Sequence, residues 1–328
     1  MALTRVLVAI DFSAQSELAL QQAVAVATQA GAALELLWVQ DRIPAGTATP
    51  GAMHAKVPAS PSDERDQALA DVHDQSAARL EDLARQARAR DLTVTHHVAR
   101  GHADEAIVAR AAEQDADLVV VGTRGLTGLK RFFLGSVAEK VVRASPTSVL
   151  VARGPVDRFG RVLVAVDFSA ASDRAVDMAC AVTAPDAELV LFHAWQFPPG
   201  TAGLRSTTTR EGDAVGELRA QIIALNAQRG ETLRQRVART GRSARFVQTH
   251  GAPVAELQGQ LETGAYDLAC MSTHGHRGFR RLLLGSVTEA TVRHAPCSVL
   301  VVYAGSVPDA EAVPVTPLTP DPGLPEPA

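Results

Sequence analysis

The chain repeats itself, and this constrains its fold more than any other feature of its 328 residues. RVLVAIDFSAQSELAL (Arg5 to Leu20) returns as RVLVAVDFSAASDRAV (Arg161 to Val176), with eleven of sixteen positions identical. GTRGLTGLKRFFLGSVAEKVVRASPTSVLV (Gly122 to Val151) returns as STHGHRGFRRLLLGSVTEATVRHAPCSVLV (Ser272 to Val301), with sixteen of thirty identical. The offsets are 156 and 150 residues. Solenoid repeats are about 20–50 residues long, whereas about 150 residues make a whole domain. The expected organisation is a first domain over residues 1–156, a second over 157–306, and a tail over 307–328.

Each copy alternates strand and helix signals. VLVAI is a continuous apolar run ending at Asp11, the pattern of a strand buried on both faces. An Ala-rich helix follows from Ser13 to Ala30, with Ser13 placed to cap it and Gly31 to stop it. ALELLWV, Thr93–Ala99, DLVVVG and TSVLVAR supply four more strands, and Asp41 to Ser62 is a long loop. Helices are expected over Pro61–Arg90, Ala103–Gln114 and Ser136–Arg143, and in the second copy Gly241 is expected to end the long helix. Strands alternating with helices give an α/β fold with a parallel sheet and right-handed crossovers. GPVDRFG (Gly154 to Gly160) joins the copies. Seven residues reach at most ~25 Å, so the two domains must be neighbours. From about Val307 the chain is Pro-rich and acidic without an apolar face, which reads as disordered tail.

The chemistry concentrates after the fourth strand. Gly122, Gly125 and Gly135 precede Ser136 in the spacing G-x2-G-x9-G-S. A chain that cradles phosphates needs inward amides, positive-φ conformations and no Cβ in the way, all of which glycine supplies. The helix opening at Ser136 adds unpaired amides and the positive end of its dipole, and Ser136 adds a hydroxyl donor. The plainer alternative is a tight turn with Ser136 as an ordinary cap. Recurrence of the spacing 150 residues later, again after an apolar run, favours the phosphate reading.

With these residues the sequence resembles the universal stress protein family. The family's phosphate signature is G-x2-G-x9-G-[ST], matched by Gly122, Gly125, Gly135 and Ser136, and its Asp after the first strand is matched by Asp11 in Asp11-Phe12-Ser13. The resemblance covers residues 3 to 303 and implies two tandem doubly wound domains, each a five-stranded parallel sheet in the order 3-2-1-4-5 flanked by helices. The ligand then sits where the order reverses, between the carboxyl ends of strands one and four. The implied ligand is ATP or another adenine nucleotide, with Mg²⁺ a candidate companion. Asp11 would contact ribose or base, Ala9 would line the adenine pocket, and the backbone of Val39 would pair with the adenine edge. Thr123, Arg124 and Val137 complete the implied first site. The other reading of Asp11 is a helix-cap partner.

In the second copy the candidates are Ala165, Asp167, Ala194, Gly275, Gly285, Ser286 and Val287, but Ser272 replaces the first glycine. If that position needs positive φ, a serine costs roughly 1–2 kcal/mol, so a weaker or absent second site is expected. Arg124, Lys130, Arg277 and Arg280 are cations that either neutralise phosphate or simply face solvent.

Other classes find little support. His274, His276, Cys270, His294 and Cys297 lack the paired spacings of a zinc site, so no metal is expected. No G-x4-G-K-[ST], GxGxxG or GxSxG marks a P-loop, a dinucleotide fold or a hydrolase elbow. A net charge of −4 argues against a nucleic-acid groove. Three cysteines without a CxxC pair suit a reducing compartment, and no apolar run nears the ~20 residues of a membrane span. The expected setting is cytoplasmic. A regulatory nucleotide-binding module is favoured, with a slow ATPase and a nucleotide-free scaffold as the rival readings. The fifth strands, TSVLVAR and CSVLVVY, are apolar sheet edges that need covering. The resemblance suggests that they pair antiparallel within one chain, and association of two chains into a homodimer is left open.

Overall fold

An apolar run such as RVLVAI has no face to give to water, so it folds only where other elements cover both of its sides. The computed structural model describes residues 2–40, 62–123, 134–197, 211–273 and 284–303, leaving aside the side chains of 62–69 and 211–215. The loop expected over 41–62 lies outside the described residues except for Ser62, which is the first residue of a helix, and the tail from 307 lies outside them entirely. The first half runs β1 (Arg5–Ile10), α1 (Ala14–Ala30), β2 (Ala33–Gln40), α2 (Ser62–Arg88) and β3 (Val94–Arg100). It continues with α3 (Ala103–Glu113), β4 (Leu118–Gly122), α4 (Ser136–Ala144) and β5 (Ser148–Ala152). The second half repeats the series as β6 (Arg161–Ala165), α5 (Ala170–Val182), β7 (Glu188–Trp195), α6 (Glu211–Ala238) and β8 (Ala244–His250). It ends with α7 (Pro253–Thr263), β9 (Leu268–Ser272), α8 (Ser286–His294) and β10 (Ser298–Val302).

Local chemistry sets several of these ends. Ser13 caps α1, its Oγ accepting from the Ser16 amide at 3.2 Å, and Gly31 closes the helix at φ 66°. One expectation shifts: the long helix of the second half stops at Ala238, and Gly241 (φ 76°) lies three residues beyond it. α4 opens at Ser136, the start the sequence pattern gives, with Gly135 at the cap position.

The two halves share one sheet. Its ten strands run β3-β2-β1-β4-β5-β10-β9-β6-β7-β8. Every neighbouring pair is parallel except the central one, where β5 and β10 are antiparallel with Leu150 opposite Leu300. The pairing leaves neither apolar strand as a bare edge. Alternation along the strands feeds two cores. Val6, Val8, Leu34 and Leu36 point to the face carrying α1 and α2, while Leu7, Leu37, Val119 and Val121 point to the face carrying α3 and α4.

Polar contacts fix the junction. Gln22 of α1 is fully buried; its Nε2 donates to the carbonyls of Arg153 (3.2 Å) and Gly154 (2.9 Å), and its Oε1 accepts from Ser298 Oγ at 2.9 Å. The segment joining the halves is therefore packed down, and Phe159 within it is buried. On the other face Arg143 meets Glu289 at 3.0 Å and Arg293 meets Glu139 at 3.0 Å, closing a quartet between α4 and α8. Partly exposed pairs of this kind add little energy each. Their reciprocity follows the repeat offset of 150 residues, so the junction has pseudo-two-fold symmetry.

Among the described residues no helix is long and apolar enough to cross a membrane. Cys180, Cys270 and Cys297 are free and buried. Burial pushes the Cys297 thiol up to about 12 and Cys270 higher still. Since the thiolate is the reactive form, alkylation at neutral pH should leave these two cysteines untouched until denaturant is added; rapid labelling of the native chain would contradict the burial. At the junction, Leu300→Ala should lower stability by about 2–5 kcal/mol in denaturant titration. A loss well below that range would mean that the central strand pair is not tightly packed.

Candidate functional site

The sheet register brings the predicted residues to one edge. Val8 of β1 lies beside Val120 of β4. Asp11 and Gly122 come just beyond, at the carboxyl ends of those two strands. This is the point where the strand order reverses, the usual crevice of a doubly wound sheet.

Asp11 is held in a defined pose. Its Oδ1 accepts from the Ser13 amide at 3.0 Å and the Ser13 hydroxyl at 2.6 Å. The intervening Phe12 has φ 61° and a buried ring. A bulky residue in the left-handed region costs roughly 1–2 kcal/mol. Phe168 repeats the conformation at φ 64°, and Asp167 binds Ser169 at 3.1 and 2.5 Å. Thus Asp11 does serve as the partner of a helix cap. Among the described residues no hydrogen bond is made to its second oxygen.

The start of α4 contrasts with that of α1. Gly135 caps α4 with no side-chain hydrogen bond, and its amide donates to the Thr123 carbonyl at 2.7 Å. The Glu139 amide returns to the Gly135 carbonyl at 2.9 Å. The amides of Ser136, Val137 and Ala138 therefore lack the side-chain cap that Ser13 gives α1, and the helix dipole adds to their pull on an anion. The second half repeats the closure, with Gly285 N to Thr273 O at 3.0 Å and Gly285 capping α8.

At the carboxyl ends of β1, β2 and β3 an apolar patch is incompletely covered. Ala9, Val39 and Ala99 stand near the carboxyl ends of three neighbouring strands, and with Leu134 they are half-buried against the core that holds α3 and α4. Val137 is 37% exposed at the head of α4. Asp104 of α3 and Lys140 of α4 meet at 3.2 Å and tie the two helices together beside it. Ala165, Ala194, Leu284 and Val287 form the corresponding patch of the second half.

The glycines act differently from expectation. Gly135 has φ −67° and Gly122 is not among the positive-φ residues. Crowding is the reason for Gly122: a Cβ there would lie 2.9 Å from the carbonyl carbon and oxygen of Gln15. The backbone strain anticipated for Ser272 therefore does not arise. Arg124, Gly125 and Lys130 lie outside the described residues, as do His274, Gly275, His276, Arg277 and Arg280. Sequence reasoning missed Gln15, Ala99 and Leu134 as parts of this edge. For Gln15 the one available signal is that the second copy carries Ala171 instead.

A family model for the universal stress proteins matches residues 3–153 and again 158–303. The chain belongs to the universal stress protein family. Universal stress protein YxiE of Bacillus subtilis is 31% identical over 150 residues, which is 45% of this chain and 98% of that protein. Universal stress protein MJ0531 of Methanocaldococcus jannaschii is 51% identical over 49 residues, 15% of this chain and 29% of that protein. The crystal structure of a universal stress protein from Archaeoglobus fulgidus superposes with a TM-score of 0.61 at 21% identity, covering 92% of this chain and 98% of that one. A functionally unknown protein from Pseudomonas aeruginosa gives a TM-score of 0.60 at 18% identity over 92% of this chain and 93% of that one. These two likenesses concern the fold alone.

The crowding at Gly122 makes a direct prediction. Gly122→Ala should cost about 1–3 kcal/mol through overpacking against α1, read as a lower denaturation midpoint. An unchanged midpoint would show that β4 and α1 are not in such close contact.

Proposed function

We propose that the first-half crevice of this universal stress protein binds ATP or another adenine nucleotide and that the chain works as a regulatory binding module. The observation that carries the reading is the uncapped head of α4 beside a posed carboxylate and a half-buried apolar patch. Phosphates would take the amides of Ser136, Val137 and Ala138, with Thr123, Arg124 and Gly125 as further candidate phosphate contacts. The adenine ring would lie on Ala9 beside Val39, whose backbone reads its edge. Asp11 would accept from a ribose hydroxyl through its second oxygen, the first being committed to Ser13. Mg²⁺, where present, would be held chiefly by the phosphates.

The second half would bind more weakly. Its candidates are Ala165, Asp167, Ala194, Gly275, Gly285, Ser286 and Val287. Ser272 places a hydroxymethyl group where Gly122 has none. The asymmetry rests on this exchange of side chains and not on a strained backbone.

Titration calorimetry with ATP and GTP, each with Mg²⁺, tests the reading. ATP is expected to bind more tightly, because the patch is aliphatic and only the backbone reads the base edge. Gly135→Val should abolish ATP binding and keep the fold, since φ −67° and ψ 150° suit valine but its side chain enters the phosphate approach. Equal affinities for the two nucleotides, no ATP binding, or full binding by the variant would contradict the proposal.

A further inference from the structure

Gln15 of α1 meets the end of β4 at the edge of the first-half crevice. It stands in the first turn of α1, two residues after the cap Ser13. The end of β4 presses on it so closely that Gly122 has no room for a Cβ. Next along the chain, the Thr123 hydroxyl donates to Gln15 Oε1 at 3.2 Å. Thr123 also accepts the Gly135 amide at 2.7 Å through its carbonyl. A continuous line of contacts therefore runs from α1 through the end of β4 to the cap of α4.

The amide group of Gln15 divides its work by chemistry. Its oxygen accepts from Thr123, which leaves a nitrogen with two N–H donors. Among the described residues no hydrogen bond takes those donors up. The side chain is half-buried, and the Thr123 contact holds its amide group beside the end of β4. Its neighbour is Thr123, the first residue of the loop beyond β4, and the apolar patch at Ala9 and Val39 lies on adjacent strands. The second half has Ala171 at the equivalent position and can make no such contact.

We propose that Gln15 is a further ligand-binding residue of the first half, its Nε2 donating to the phosphate chain of a nucleoside polyphosphate while its Oε1 anchors the loop. The inference rests on the reading that this crevice binds a nucleotide. It adds a reason, separate from the glycine loop, for the two halves to differ in affinity. It also makes the contribution of Gln15 specific to phosphate, because the group lies on the loop side of the crevice.

Calorimetry on the full chain with two probes, ATP and adenosine, tests this. Gln15→Glu keeps an acceptor for the Thr123 hydroxyl, removes the donors and adds a negative charge. Gln15→Ala reproduces the second half. Both variants should weaken ATP by about tenfold or more, the worth of a hydrogen bond to a charged group, and leave adenosine unchanged. Thermal melts of both variants monitor the fold. An unmodified chain that binds no ATP overturns this inference together with the nucleotide reading. An unmodified chain that binds ATP, with Gln15→Glu binding it equally well, overturns the role of Gln15 alone. A parallel loss of ATP and adenosine in both variants also overturns it, since a disturbed loop or helix would weaken both ligands.

Discussion

The antiparallel pairing of β5 with β10 is the contact on which the rest of the molecule depends. Within each half every strand pair is parallel, and a parallel sheet needs helices on both faces and a covered edge. The helices supply the faces; only the other half supplies the edge. Val149, Leu150 and Val151 meet Val301, Leu300 and Val299, and all six are buried. Once these strands pair, α4 faces α8 through the Glu139–Arg143–Glu289–Arg293 quartet. Gln22 is then enclosed with Ser298 and the joining segment. Each half carries its crevice beside this junction, because β4 and β9 are the immediate neighbours of the pairing strands.

The duplication has let the two crevices diverge on one backbone plan. Both keep an Asp-Phe-Ser turn with a left-handed Phe, and both close the loop from Thr to Gly with a backbone hydrogen bond. The differences are in side chains. Gly122 faces Gln15 in the first half, whereas Ser272 and Ala171 stand at those places in the second. The Thr288 hydroxyl donates to the Ser272 carbonyl at 2.9 Å, while the first half has Ala138 in place of Thr288. Packing at the long helices is exchanged as well. Leu80 on α2 becomes Gly230 on α6, and the vacated space is taken by Phe246, whose ring lies within 2.5 Å of where a Gly230 Cβ would be.

Much of the fold was legible because buried parallel strands and capped helices write themselves locally. RVLVAI, LVVVG and SVLVA have no polar face, and Ser13 and Gly31 end α1 by side-chain and backbone chemistry that depends on near neighbours. The placing of Asp11 and Gly122 at one edge came from the strand order that the family resemblance implies. What escaped was non-local. The role of Gly122 depends on how closely α1 crosses β4, and no spacing rule carries that distance; hence positive φ was expected where crowding is the cause. Gln15 looked like one more polar residue on a helix, and only the Thr123 contact distinguishes it. That Phe12 sits at φ 61° could not be read from its identity, since aromatic residues seldom adopt that conformation.

The central claim is that one crevice of the pair, in the first half, holds an adenine nucleotide. Equilibrium dialysis with labelled ATP and Mg²⁺ tests it most directly, by counting tightly bound ATP per chain in the unmodified protein, in Gly135→Val and in Gly285→Val. The count should be close to one for the unmodified chain, near zero for Gly135→Val and unchanged for Gly285→Val. A count near zero in the unmodified chain, or a count near two that either substitution halves, would contradict the account.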